Sequence, residues 1–141
     1  MKQKAILMLA LLLPVLWIVA CAPASGTSVS VSCDDFGQQA NLSKQLNVAA
    51  GSTFTVTLCS NKTTGFSWSE AAQISDPAVV EQVSHTFNAP ENTGLVGAPG
   101  SEIWTFRALK KGNSNIKVEY SQPWEGGQKG AWTFNLAVAV N

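Results

Sequence analysis

Hydrophobic and polar residues alternate along most of this chain with a period of two, the pattern of β-strands that bury one face. The clearest alternation covers residues 53–58, 103–108, 116–120 and 132–140, with shorter runs at 29–31 and 46–48. Turn-forming residues such as Ala50-Gly51-Ser52 and Glu125-Gly126-Gly127 separate these segments. Six to eight short strands over about 110 residues predict an all-β fold, an antiparallel sandwich or barrel.

Four segments depart from this alternation. Residues 74–87 are ambiguous, because Asp76-Pro77 predicts a turn while residues 78–83 fit either a helical turn or a strand. Residues 60–66, 91–100 and 121–130 are loop-like, and each adjoins a predicted strand. The strand order could place these three loops at one end of a sandwich. A rigid sandwich that presents loops is a common binding device.

The first twenty residues have the composition of a signal peptide. Lys2 and Lys4 precede an apolar stretch, residues 5–19, that is shorter than the about 20 residues of a membrane-spanning helix. The stretch ends in Ile18-Val19-Ala20-Cys21, which resembles the lipobox of bacterial lipoproteins, where the cysteine is lipidated. An ordinary secretory signal followed by a chance cysteine is the alternative.

We therefore predict a lipoprotein-type signal peptide at residues 1–20, a tether at 21–30 and a folded domain at 31–141. The tether consists mainly of small and polar residues. Two or more acyl chains hold a protein on a membrane stably, where one chain is marginal. We expect an exported protein that Cys21 anchors to the cell-envelope membrane.

The charge balance argues against a nucleic-acid partner. The chain has nine basic and nine acidic residues, so loss of Lys2 and Lys4 with the signal peptide leaves seven basic against nine acidic, a net charge of −2. No basic cluster of the kind that binds phosphate backbones is present. We expect a monomer that needs no cofactor.

Two further cysteines, Cys33 and Cys59, lie at the ends of strand-like runs in a chain that is exported, where disulfides form. The strand phase speaks against a bridge, because Cys33 shares a side with Val29 and Val31 while Cys59 shares a side with threonines. Strand ends can twist or bulge, so we predict the bridge. Two buried free thiols are the alternative.

The sequence does not predict an enzyme. Nucleophilic catalysis usually needs a base beside the nucleophile, and the single histidine, His85, lies in the ambiguous segment. A lone histidine is more often a packed or surface side chain. No Cys-x-x-Cys or His-x-x-x-His spacing suggests a metal site, and no glycine signature suggests a phosphate site.

The three loops carry small residues, glycines and large rings. The first reads Asn61-Lys62-Thr63-Thr64-Gly65-Phe66-Ser67-Trp68, the second Gly97-Ala98-Pro99-Gly100 and the third Gln122-Pro123-Trp124. In this order they resemble the motifs of the chagasin family, inhibitors of papain-like cysteine peptidases on an immunoglobulin-like sandwich. Those motifs are Asn-Pro-Thr-Thr-Gly-[Phe/Tyr]-x-Trp, Gly-x-Gly-Gly and Arg-Pro-Trp. The resemblance covers about residues 48–140.

The resemblance implies a reversible, non-covalent inhibitor that blocks the active-site cleft of a papain-like peptidase. The first loop would enter the cleft over the catalytic cysteine and histidine, and the other two would grip its sides, with Trp124 on the primed side. The implied contact residues are Thr63, Thr64, Gly65, Phe66, Gly97, Ala98, Pro99, Gly100, Gln122, Pro123 and Trp124.

Three positions depart from the family pattern. Lys62 stands where the family has proline, Pro99 where it has glycine, and Gln122 where it has arginine. The last change removes a cation with a fork of hydrogen-bond donors. Two other interpretations stay open: an immunoglobulin-like envelope lipoprotein that binds another protein or a glycan with these loops, and a structural envelope lipoprotein whose tryptophans form the core.

Overall fold

The computed structural model describes residues 26–91 and 94–141. Nine strands and one short α-helix are formed in this part of the chain. The predicted signal peptide and the first half of the predicted tether, residues 21–25 with Cys21, lie outside these residues. The elements are β1 (Thr27–Val31), α1 (Cys33–Gln38), β2 (Asn41–Val48), β3 (Thr53–Ser60), β4 (Ser67–Trp68), β5 (Gln73–Ile74), β6 (Val80–Asn88), β7 (Gly100–Ala108), β8 (Gly112–Ser121) and β9 (Trp132–Val140).

The strands form two sheets, which confirms the predicted all-β sandwich. One sheet has the order β1-β3-β7-β6 and the other β2-β9-β8-β4, with β5 also paired to β8. Most neighbours are antiparallel, as predicted, but β1 runs parallel to β3 and β2 runs parallel to β9. The prediction of wholly antiparallel sheets is corrected at these two edges. Side chains alternate in the same way in parallel and in antiparallel strands, so the hydrophobic pattern alone cannot show which pairing a strand adopts.

The core lies between the inward rows of the two sheets. In β7 the row includes Trp104, Phe106 and Ala108, and in β9 it includes Phe134 and Leu136, all at most 1% exposed. Each fully buried large apolar side chain contributes about 1.5–3 kcal/mol relative to an exposed one. These rows hold the strands that lead into the loops in a fixed arrangement.

Helix α1 is an element that the period-two analysis did not predict. Ser32 caps its first turn: the Ser32 hydroxyl accepts a hydrogen bond from the Asp35 backbone N–H, and the Asp35 carboxylate accepts one from the Ser32 backbone N–H. The hydrogen bond from the Ser32 hydroxyl is the main cause that lowers the pKa of Asp35. The helix buries Phe36 between Trp68 and Trp132, with ring centroids 5.0 and 5.1 Å apart.

Two strands, β6 and β1, have bounds that differ from those predicted from the sequence. Residues 80–88, where the sequence was ambiguous, form strand β6 after a turn in which Asp76 accepts from the N–H of Val79 and Val80. Thr27–Val31, of which residues 27–30 were assigned to the tether, pair with β3 from Thr27 onward. The sheet therefore begins at Thr27.

A disulfide joins Cys33 to Cys59, as predicted, with their Cα atoms 5.1 Å apart. The phase objection does not apply, because Cys33 lies in α1 rather than in a strand and α1 covers the end of β3. The bridge closes a separation of 26 residues, for which the chain-entropy model gives a stabilisation of about 3 kcal/mol. It also ties α1 to the strand that leads into the first loop.

Candidate binding site formed by three loops

The three predicted loops lie at one end of the sandwich. We define loop 1 as residues 61–66, loop 2 as residues 89–99 and loop 3 as residues 122–131; residues 92 and 93 of loop 2 are outside the description. Ser60 pairs with Gly100 and Ser67 pairs with Ser121, so β3 ends, β7 begins and β8 ends at the same edge. We call the surface formed by the three loops the loop edge.

Loop 1 is a tight turn held by its own polar groups. Lys62–Thr64 form a 3-10 turn that Asn61 caps, its side-chain oxygen accepting from the Thr63 N–H at 3.2 Å and from the Thr63 hydroxyl at 2.6 Å. The Thr64 hydroxyl donates to the Asn61 carbonyl at 2.6 Å. Gly65 ends the turn in the left-handed region, with φ +82°, where a residue with a Cβ is strained.

Loop 1 is connected to both other loops. The Asn61 side-chain amide donates to the Gly97 carbonyl of loop 2 at 2.8 Å. On the other side the Trp124 ring of loop 3 covers Gly65 so closely that a Cβ on Gly65 would lie 2.7 Å from Trp124 Cη2. Below the turn, the Asn61 N–H donates to the Tyr120 hydroxyl at 2.9 Å. The loop edge is therefore one connected surface.

Loop 3 is held by a cation at the position where its backbone turns. The Lys129 ammonium donates to the carbonyl oxygens of Gln122 and Trp124, the second at 2.9 Å. The Gln122 side chain accepts from the Gln128 N–H at 2.9 Å, so it braces the loop from within. The arginine of the family pattern is absent at Gln122, but Lys129 supplies a cation close to the Pro123-Trp124 backbone.

The predicted contact residues share the loop edge but are unequally exposed. Thr63, Thr64, Pro99, Pro123 and Trp124 are exposed, and Gly65, Phe66, Gly97, Ala98 and Gln122 are partly buried. Phe66 stacks on Tyr120, with centroids 5.5 Å apart. Gly100 lies within β7, where a Cβ would collide with the Asn88 carbonyl oxygen, so its lack of a side chain serves strand pairing.

Two exposed apolar residues at the tip of loop 2 were missed by the sequence analysis. Leu95 is 74% exposed and Val96 fully exposed, and on loop 3 Trp124 is 50% exposed. Large apolar side chains that a fold leaves in water often mark an interaction site. Two apolar residues between Gly94 and Gly97, in a chain that otherwise alternates, were the available signal.

Beside loop 1 lies an open, mainly apolar groove of about 480 Å³. Its walls include Phe66, Pro99, Tyr120 and Trp132, and it reaches the disulfide at Cys33. Pro99, one of the three departures from the family pattern, thus extends the apolar surface. Lys62, another departure, lies with its ammonium 4.3 Å from the centre of the Phe87 ring, a cation–π contact.

Among the described residues, no cluster of side chains is suited to metal binding. No three His, Cys, Asp or Glu side chains within 26–91 and 94–141 group as a metal site requires. His85 points to a buried glutamate, Glu102, with 2.8 Å between His85 Nε2 and Glu102 Oε2. In the same part of the chain, no helix is both long enough and apolar enough to cross a bilayer.

The fold is a β-sandwich that presents three loops at one end, and loop 1 contacts both of the others. Residues 47–138 match the model of the chagasin family peptidase inhibitor I42. The chain therefore belongs to the chagasin family of peptidase inhibitors, as its loop motifs indicated. The matched region contains all three loop motifs, and the family is one of inhibitors rather than of enzymes.

Individual relatives agree with this assignment. The chain is similar to amoebiasin-2 of Entamoeba histolytica, with 25% identity over 103 residues that cover 67% of this chain and 76% of the relative. Its fold is similar to the crystal structure of the cysteine protease inhibitor EhICP2 from Entamoeba histolytica, with a TM-score of 0.62, 20% identity, and coverage of 84% of this chain and 100% of the other.

A second solved structure, PbICP-C in complex with falcipain-2, shares the fold with a TM-score of 0.56 and 17% identity. The similarity covers 82% of this chain and 100% of that one. At such identities the two structures show a common fold.

Proposed function

We propose that this chain is a reversible, non-covalent inhibitor of papain-like cysteine peptidases that fills the active-site cleft with the loop edge. The observation that carries the proposal is the bracing of loop 1 from both sides, by the Asn61–Gly97 hydrogen bond and by the Trp124 ring on Gly65. The family is one of peptidase inhibitors. A cysteine protease inhibitor and a chain in complex with falcipain-2 share its fold.

A preformed loop edge suits inhibition by occupancy. Loops that are already ordered lose little conformational entropy on binding, so more of the contact energy appears as affinity. Thr63 and Thr64 at the tip are small enough to enter a narrow cleft, and Leu95, Val96 and Trp124 offer apolar surface beside it. Such an inhibitor needs no reactive group.

Steady-state kinetics with papain test this proposal. We expect inhibition that is competitive with a peptide substrate, is relieved on dilution and follows the 1:1 stoichiometry of a monomeric inhibitor. Absence of inhibition at micromolar concentrations, with the protein folded by circular dichroism, would contradict it. That outcome would favour an envelope protein that binds another protein or a glycan through the loop edge.

We also propose that Cys21 carries the lipid that anchors the protein to the cell-envelope membrane. The strand nearest this anchor supports the arrangement: Thr27 of β1 pairs with Phe54, at the start of β3, while loop 1 follows the end of β3. The start and the end of β3 are seven residues apart, which corresponds to about 23 Å along a strand. An anchor before Thr27 would hold the loop edge away from the membrane, free to meet a peptidase.

Replacing Cys21 by serine tests the anchor. The serine cannot be acylated through sulfur. We therefore expect Cys21→Ser protein either to move to the aqueous phase in a Triton X-114 partition or to keep its uncleaved signal peptide. Its inhibition of papain should stay unchanged, since Cys21 precedes the sandwich. A Cys21→Ser protein that has lost residues 1–20 and still partitions with the detergent as the parent does would exclude the lipid at this residue.

A further inference from the structure

Glu102 is a carboxylate in the core of the sandwich. It stands on β7 in the same inward row as Trp104, Phe106 and Ala108, and it is buried. Burial of an ionisable group without hydrogen-bond partners is costly, so a glutamate at such a position needs a dedicated set of donors. The structure shows these donors, and they come from both ends of loop 1.

One oxygen of Glu102 binds both sides of loop 1. Oε1 accepts from the Ser60 hydroxyl at 2.7 Å and from the Trp68 backbone N–H at 3.1 Å. Ser60 is the last residue of β3, directly before loop 1, and Trp68 belongs to β4, directly after it. These strands lie in different sheets, so this oxygen joins the two sheets at the base of the loop.

The second oxygen of Glu102 is occupied by His85. Nε2 of His85 lies 2.8 Å from Oε2, and the imidazole packs on Trp104 with centroids 4.8 Å apart. The His85 side chain is 12% exposed and that of Glu102 1%. His85, on β6, is therefore the third partner of the Glu102 carboxylate, and it holds the carboxylate toward Ser60 and Trp68.

We propose that Glu102 is a positioning residue for inhibition, which fixes the spacing between the two stems of loop 1 and so the shape of the loop edge. This inference rests on the proposed function for its effect on inhibition, but the clamp itself is a property of the free protein. Ser60, Trp68 and His85 reach Glu102 from three different strands, β3, β4 and β6. A change at Glu102 should therefore act on loop 1 and leave loop 3 in place.

The test compares Glu102→Leu with Glu102→Gln. Leucine is of similar size but leaves the Ser60 hydroxyl and the Trp68 N–H without an acceptor, whereas glutamine keeps an oxygen for them. We expect Glu102→Leu to raise the inhibition constant for papain by on the order of tenfold. Glu102→Gln should recover most of that loss. Ser60→Ala, which removes a single donor, gives a smaller increase and serves if Glu102→Leu does not fold.

Ser114→Ala is the matched control, because Ser114 is also a buried polar residue but lies at the opposite end of the sandwich. Its hydroxyl accepts from the Asp76 N–H at 3.0 Å and donates to the Asp76 carbonyl at 3.2 Å. We expect Ser114→Ala to lower the melting temperature without changing the inhibition constant. If Glu102 had only a structural role, Glu102→Leu would likewise lower the melting temperature and leave the inhibition constant unchanged.

Hydrogen exchange of the free proteins separates this inference from the proposed function. In Glu102→Leu, amide exchange in residues 61–67 should rise by about tenfold or more, while exchange in residues 122–130 stays as in the parent. The exchange measurement tests the clamp even if the parent protein does not inhibit papain. Absence of inhibition by the parent would overturn the proposed function alone. Unchanged exchange in loop 1 of folded Glu102→Leu would overturn the clamp.

Discussion

Replacing Gly65 by valine is expected to weaken inhibition of a papain-like peptidase on the order of a hundredfold. Gly65 has φ +82°, a region that costs a residue with a Cβ about 1–2 kcal/mol. The new Cβ would also lie 2.7 Å from Trp124 Cη2, so the ring of loop 3 must move. One substitution thus distorts the tip of loop 1 and displaces the largest exposed ring of the loop edge.

Gly51→Val is the control for this experiment. Gly51 has the same φ, +82°, but nothing lies within 4 Å of a Cβ at that position. It forms the turn between β2 and β3, at the end of the sandwich away from the loops. Both variants carry the same backbone strain and should lose stability in thermal unfolding, but only Gly65→Val should lose inhibition. Equal inhibition constants for two folded variants would mean that loop 1 is not in the contact.

Trp124→Ala is expected to raise the inhibition constant at least about tenfold, because a buried aromatic anchor contributes about 2 kcal/mol or more. The ring is 50% exposed in the free protein, so a partner can cover a large apolar area. The ring also supports Gly65, which adds an indirect loss.

Leu109→Ala is the control for the loss of an exposed apolar side chain. Leu109 is 40% exposed and directly follows β7, at the end away from the loops. Its truncation should leave the inhibition constant unchanged. Isothermal titration with papain would give both affinities. If Trp124→Ala binds as tightly as Leu109→Ala, then the tryptophan lies outside the interface.

The strands were predictable because each buries one face, and this shows locally as alternation. The threonines of β3 and the apolar row of β9 marked the two faces of these strands without any knowledge of their partners. The parallel pairings of β1 and β2 were not predictable, since they depend on residues far away in the chain. Helix α1 carried a local signal, the Ser32–Asp35 capping pair, which an analysis by alternation passes over.

The candidate site was only partly predictable for a similar reason. The motifs located loop 1, loop 2 and loop 3, but the contacts that brace them join residues 36 to 59 positions apart, such as Asn61 with Gly97 and with Tyr120. Glu102 carried one local signal, a charged residue in the inward row of a strand. Its partners Ser60 and His85 could not be assigned without the fold, so the single histidine had no visible role.

The most direct test of the central claim, that the loop edge fills the active-site cleft, is protection of the peptidase thiol from alkylation. Papain is incubated with iodoacetamide in the presence and absence of a saturating amount of the inhibitor, and both chains are weighed by mass spectrometry. We predict that the active-site cysteine stays unmodified in the complex and that the inhibitor is recovered uncut. Alkylation at the rate of free papain, with the inhibitor bound, would contradict the claim.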